Sequence, residues 1–349
     1  YGADSLRFSV LSGTTMGNDI RYMPEKLEQA SNFANKIWNA AKFIKMNLVE
    51  DEEVIKFFDE NYDRETKSFK ENSLKIEDRW ILNKLDKLVS EVSKNIDNYD
   101  IGIAVDKIYN FIWNEFCDWY IEMVKPRIYS EDEETKVQVS AMLNYVFENS
   151  LKLLHPFMPF ITSEIYSKLI CFGTEDLIVS KWPEIKHEFA FEADESIVES
   201  LKKLITEIRN VRTKMNVHPS KKSKLILVTS LDKKELKESE EFLLKLGFAS
   251  EIILQEKEEN IPQNAVSIVV DEIKAYIPFE ELVDIEQEKA RLQEEIKRLE
   301  AEVARGNKML SNPGFINKAP EAKVQEEKDK LANYEQMLKA TKERLESLN

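Results

Sequence analysis

Three sets of side chains in this 349-residue chain combine groups that hold single-stranded nucleic acid. Aromatic rings stack on bases, amides and carboxylates bond to base edges, and cations meet phosphates. The first set is Phe111, Asn114 and Glu115, with Lys125 and Arg127 beyond them. The second is Arg209, Arg212, Lys214, Lys221 and Lys222, in a stretch where eight Lys or Arg between 202 and 224 stand against Glu207 alone. The third is Arg305, Lys308, Asn312, Phe315 and Lys318; the region 305–323 has four basic residues and one acid, Glu321. Each set also has a plainer reading. Phe111 can be a stray aromatic on a core helix, which is what aromatic rows at helical spacing usually are. The basic stretch can be a solvated helix face, and Phe315 can cap the end of an apolar seam.

No catalytic constellation accompanies these sets. The chain has no Gly-rich phosphate loop, no zinc-ligand spacing and no Ser-His-Asp pattern. Cys117, Cys171, His155, His187 and His218 are scattered, without metal spacing or a disulfide framework. That usage suits a reducing cytoplasm. No cofactor or metal is therefore expected in this stretch.

The elements that must position the three sets can be read from periodicity. Ile103 to Tyr129 places Val105, Ile108, Ile112, Phe116, Trp119, Tyr120, Met123 and Val124 on one broad side at 100° per residue. An arc that wide predicts a central bundle helix, ending at Pro126. Phe111, Asn114 and Glu115 fall on its polar stripe. Helical spacing also predicts helices over 3–11, from Pro24, from about Ile76, over 137–154 and over 161–170, with 50–71 irregular. A basic helix from Ser196 to about Met215 follows a Lys181-Trp182-Pro183 linker. Strands at 224–229, 250–254 and 265–270, with a helix over 231–246, make a small α+β module. From Leu282, seven-residue apolar spacing on both sides of Asn312-Pro313-Gly314 predicts an antiparallel coiled-coil hairpin, each arm on the order of 40 Å long. The expected divisions are 1–22, a bundle over 23–180, the module over 195–281 and the arm over 282–349. The fold class is mainly α.

Composition narrows the partners. A net charge of −15 argues against a general nucleic-acid coat, while leaving room for a local basic face, and no DNA partner is expected. No apolar run approaches a membrane span.

Longer motifs carry a resemblance. YGADSLRF at the start, then GNDIRY and NFANKIWNA, resembles the segment after the signature lysine loop of a class I aminoacyl-tRNA synthetase. DKIYNFIWNEFCDWYIEMVKPRIY and LLHPFMPFITSEIYSKL resemble the helical anticodon-binding domain of the valyl-tRNA synthetase family. The isoleucine and leucine relatives share that bundle. IRNVRTKMNVHPSKK and a hairpin turning at LSNPGFINKAPEAKV resemble the valine branch. The resemblance implies a parent enzyme that uses ATP and Mg to join valine to tRNA(Val) and edits Thr-tRNA(Val). Its catalytic signatures are expected upstream of Tyr1. This stretch is expected to act as a monomer that holds the anticodon with the first set, phosphates with the second and the tRNA outer corner with the third. The competing reading is a helical scaffold whose coiled coil docks a protein partner or a second copy.

Overall fold

The computed structural model describes residues 1–13, 17, 22–49, 51–63, 68–70, 73–169, 176–185, 190–231, 233–282, 285–312 and 321–346. The fold is mainly α, with one small mixed sheet. Its bundle comprises α1 (Ala3–Leu11), α2 (Pro24–Asn47), α3 (Asp51–Asn61), α4 (Ile76–Asp97), a central rod, α7 (Glu133–Leu154) and α8 (Pro159–Leu169). Pro24 opens α2, since a proline in the first turn gives up an N–H that has no partner inside the helix. Asp4 of α1 accepts the Phe160 and Ile161 amides at 3.2 and 2.7 Å, so α1 caps the start of α8. Arg7 adds a bond to the Pro156 carbonyl at 2.9 Å.

Two local expectations fail in the bundle. The described residues of 50–71 are not irregular: they contain α3 and an antiparallel strand pair, β1 (Tyr62–Asp63) with β2 (Ser68–Phe69). An acidic first turn, Asp51, Glu52 and Glu53, favours the helix N-terminus. Phe58, Tyr62, Phe69 and Tyr145 then form an aromatic cluster that pins the strand pair to α7.

The central rod does not end at Pro126. It runs through α5 (Ile101–Asn110), a π-helical stretch (Phe111–Tyr120) and α6 (Ile121–Ile128), with Pro126 inside the last turn. The proline gives up only its own N–H bond, and the Tyr129 amide still reaches the Lys125 carbonyl at 3.1 Å. The π stretch has a packing consequence. Ala104, Ile108, Ile112, Phe116, Tyr120, Val124 and Ile128 are all buried, at a strict four-residue spacing. In a plain α-helix each such step rotates the stripe by about 40°. The wider π turn takes up that rotation and keeps one buried stripe along the whole rod.

The module begins with α9 (Glu192–Lys214). Four strands follow: β3 (Ser223–Thr229), β4 (Ala249–Gln255), β5 (Ala265–Val270) and β6 (Ile273–Pro278), in spatial order β4-β3-β6-β5. The β3–β4 pair is parallel and the other two pairs are antiparallel. The segment 231–246 is two short helices, α10 (Lys233–Glu238) and α11 (Glu240–Leu246), not one. Strand β6 was not expected. The hairpin arm joins helices Ile285–Leu310 and Glu321–Glu346. Lys342 pairs with Glu300 at 2.7 Å, and a Cβ on Gly306 would meet Leu331 at 3.1 Å. Residues late in one helix thus face residues early in the other, which makes the pair antiparallel, with Leu292 and Leu299 buried in the seam.

Candidate nucleic-acid interface

The first set divides on burial. Asn114 is exposed, and its amide meets the Asn110 side chain at 3.4 Å. Phe111 is only 4% exposed and packs in the core, so it cannot stack on a base without the bundle opening. Arg127 is also removed from the surface. It lies 3% exposed, 2.7 Å from Glu77 and 2.9 Å from Asp78, with Gln138 also at 2.9 Å. Tyr120 donates to Asp78 at 2.7 Å in the same network. Burial works against the Arg127 charge, but Asp78 and Glu77 hold it firmly protonated. Burial pushes the Glu77 carboxyl up to about 7 despite the pull of Arg127. Glu115 is half-buried and accepts from Lys202 at 2.6 Å, so α9 covers this part of the polar stripe. Lys125 keeps a partly open position, bonded to Glu122.

The second set is organised by its one buried member. Arg212 is 4% exposed and donates through Nη2 to the carbonyls of His218 and Lys221, at 3.1 and 2.5 Å. Its guanidinium lies 4.6 Å from the Phe248 ring centroid. It is therefore a tie for the loop after α9, not a phosphate contact. An arginine near a helix C-terminus is well placed for this, with the carbonyls of the following loop in reach of its fork. The loop it ties presents Lys222 exposed and Lys221 part-exposed, while Lys214 stands exposed at the end of α9. None of these three lysines is in an ion pair among the described residues. Arg209 lies on the surface, donates to the Leu246 carbonyl at 3.3 Å, and leans on Trp119 with 5.7 Å to the ring centroid.

In the third set, Lys308 and Asn312 are at the arm's turn end, where the Asn312 amide bonds the Met309 carbonyl at 3.3 Å. Arg305 pairs with Glu302 at 3.3 Å on its own helix. Phe315 and Lys318 lie outside the described residues.

A seam of charges fixes α9 to the bundle. Arg79 of α4 bonds Asp194 at 2.8 Å and Glu238 at 3.0 Å. Lys84 bonds Glu199 at 2.9 Å, Lys87 bonds Glu195 at 2.8 Å, and the Trp80 indole donates to Glu199 at 3.0 Å. Burial opposes ionisation of Glu195 and Glu199, yet Lys87, Asn83, Lys202 and Lys84 hold both below the usual carboxylate range. Lys202 itself lies 4.7 Å from the Trp80 centroid. The second set is therefore fixed relative to the rod.

Residues 78–227 match a family model described as the anticodon-binding domain of tRNA ligase, and 284–349 match the valyl tRNA synthetase tRNA binding arm. Relatives match from end to end. The Clostridium acetobutylicum valine–tRNA ligase is 43% identical over 351 residues, covering 100% of this chain. The chain belongs to the valine–tRNA ligase family. The enzyme of Clostridium tetani is 44% identical over 348 residues, and that of Thermotoga maritima 40% over 349. The chain spans 38% of the length of the Clostridium enzymes. The family-model match gives the basic helix a place that composition did not: the anticodon-domain model runs across the 181–183 linker and takes in α9 and part of β3. A leucyl-tRNA synthetase from Agrobacterium radiobacter, in a ternary complex, overlaps at 11% identity and a TM-score of 0.37, covering 72% of this chain and 28% of that one. That likeness is too slight to carry an argument.

Sequence reasoning missed three residues of this surface. Trp119 was placed in the core, but it is half-buried and carries the Arg209 guanidinium. Lys245, on α11, lay outside the basic stretch. Tyr129 is 63% exposed at the end of α6, one turn beyond Lys125, and its i, i+4 spacing to that lysine was readable.

Proposed function

We propose that this chain is the tRNA-holding part of a valine–tRNA ligase. The observation that carries this reading is that Asn114, Lys125, Arg209, Lys214, Lys221 and Lys222 all keep at least part of their side chains open to solvent, in a chain matched by an anticodon-binding domain and a tRNA-binding arm. Cations fix the RNA backbone, and Asn114 with nearby aromatics supplies the groups that read unpaired bases. The buried Phe111 and Arg127 act behind this surface, and Arg212 and Glu115 serve as ties. The arm's turn end, with Lys308, Asn312 and the neighbouring Arg305, meets the outer corner of the tRNA.

The parent reaction in this reading joins valine to tRNA(Val) with ATP and Mg, in the cytoplasm, with editing of Thr-tRNA(Val). This chain takes no chemical step in it. Among the described residues no three His, Cys, Asp or Glu side chains are grouped to hold a metal ion. Nor is any described helix long and apolar enough to cross a membrane. The divisions 1–22, 23–180, 195–281 and 282–349 remain our assignment, with the second and third acting as one rigid body across the Arg79–Asp194 seam. The chain works as a monomer, its arm folded back on itself.

The test is filter binding of the whole protein to tRNA(Val) and to the same tRNA carrying another anticodon. The native anticodon should bind more tightly, and Asn114→Ala should narrow the gap. Equal affinity for both tRNAs in the parent protein would remove the anticodon reading.

A further inference from the structure

We propose that a backbone phosphate of the bound RNA seats in the seam between bundle and module, held by Lys125 of α6, Arg209 of α9 and Lys245 of α11. This rests on the tRNA reading above. The three cations come from three helices that pack together there, α11 against both α6 and α9. Arg209 is held in place twice, by its bond to the Leu246 carbonyl at 3.3 Å and by the Trp119 ring at 5.7 Å. The carbonyl belongs to the residue after Lys245, and both the Arg209 guanidinium and the Lys245 ammonium feel the Glu122 carboxylate. Lys125 approaches from the rod, 5.4 Å from the Phe43 ring centroid.

The charge count favours an anion. One carboxylate, Glu122, serves all three cations, and Lys125 is bonded to it. Neither Arg209 nor Lys245 is in an ion pair among the described residues. Burial is the main force lowering the Lys245 pKa; Glu122 opposes it and Lys125 adds to it, so the two lysines repel each other. Burial likewise lowers Arg209, again against Glu122. A single phosphate between them would replace this repulsion with charge-assisted bonds. Tyr129 lies one turn past Lys125, exposed and placed for the adjoining base.

The experiment measures the salt dependence of tRNA(Val) binding to the whole protein and to the Lys245→Ala, Lys125→Ala and Lys274→Ala variants. Lys274 is the control, since it is paired with Glu258 at 2.6 Å on the module's sheet. Each lost phosphate contact should lower the log–log slope by about 0.7 to 0.9. Lys245→Ala and Lys125→Ala should each do so at unchanged melting temperature, and Lys274→Ala should match the parent. If the parent binds with a steep slope and both variants keep it, the seam site is wrong and the tRNA reading stands. If the parent itself binds without salt dependence, the tRNA reading fails first.

Discussion

At the scale of single residues, chemistry type was legible and burial was not. The sequence put Arg127 and Arg212 among the RNA contacts because arginine is usually exposed. Their partners decide otherwise: Glu77 is hidden by its 50 positions from Arg127, and the acceptors of Arg212, 6 and 9 positions away, are backbone carbonyls that no side-chain pattern marks. Phe111 was misplaced because a wheel drawn at a uniform 100° gives it the polar side, whereas the folded rod packs it inward at the start of the π stretch. The Arg212 assignment makes a prediction. Arg212→Ala leaves the Lys221 carbonyl without its side-chain donor and the His218 carbonyl with the Lys221 amide alone, and should cost about 2 kcal/mol of stability. Arg212→Lys keeps the charge but not the fork, and should not restore the loop. Hydrogen exchange at 218–222 should rise in both variants while the bundle amides keep their protection. Parental exchange in the loop of Arg212→Ala would show that the tie does not hold it.

At the scale of elements, helices with clean three- and four-residue spacing were readable to within a few positions. The misses have physical causes. Helix α3 begins inside an acidic run that looks like solvated loop, and its support comes from aromatics as far away as Tyr145. Strand β6 buries Ile273, Ala275 and Ile277 but alternates them with Lys274 and Tyr276, and its alanine gives little strand signal. The π stretch is visible only in hindsight, as a four-residue repeat that an α-helix cannot keep on one side. The junction of the rod with α4 also makes a pH prediction. Burial raises the folded Glu77 pKa from 4.5 to about 7, so ionising it is a cost borne by the fold. Its favourable contribution is complete below about pH 4.5 and is lost as pH climbs through about 7. Compared with Glu77→Gln, the parent should lose on the order of 3 kcal/mol across that window. The lowered carboxylates Glu195 and Glu199 act in the opposite direction, but they are common to both proteins and cancel in the difference. Melting curves from about pH 4 to about pH 8 measure it, and a pH-independent difference between the two proteins would contradict the assignment.

At the scale of the whole molecule, the sequence pattern carried no sign of the charged seam that joins α4 to α9. Arg79, Lys84 and Lys87 face acids more than 100 positions away, and no local pattern encodes such pairing. In the proposed reading this docking is what lets a chain of net charge −15 hold RNA: acids are consumed in the seam, and Lys214 at the end of α9 and Lys222 in the loop after it are left outward. The measurement that tests this most directly is the affinity of tRNA(Val) for the whole protein carrying both Lys221→Glu and Lys222→Glu, at a fixed moderate salt concentration. Affinity should fall at least about tenfold, and by a similar factor for tRNAs of any anticodon, because phosphate contacts carry no sequence information. Unchanged affinity at parental stability would contradict the account.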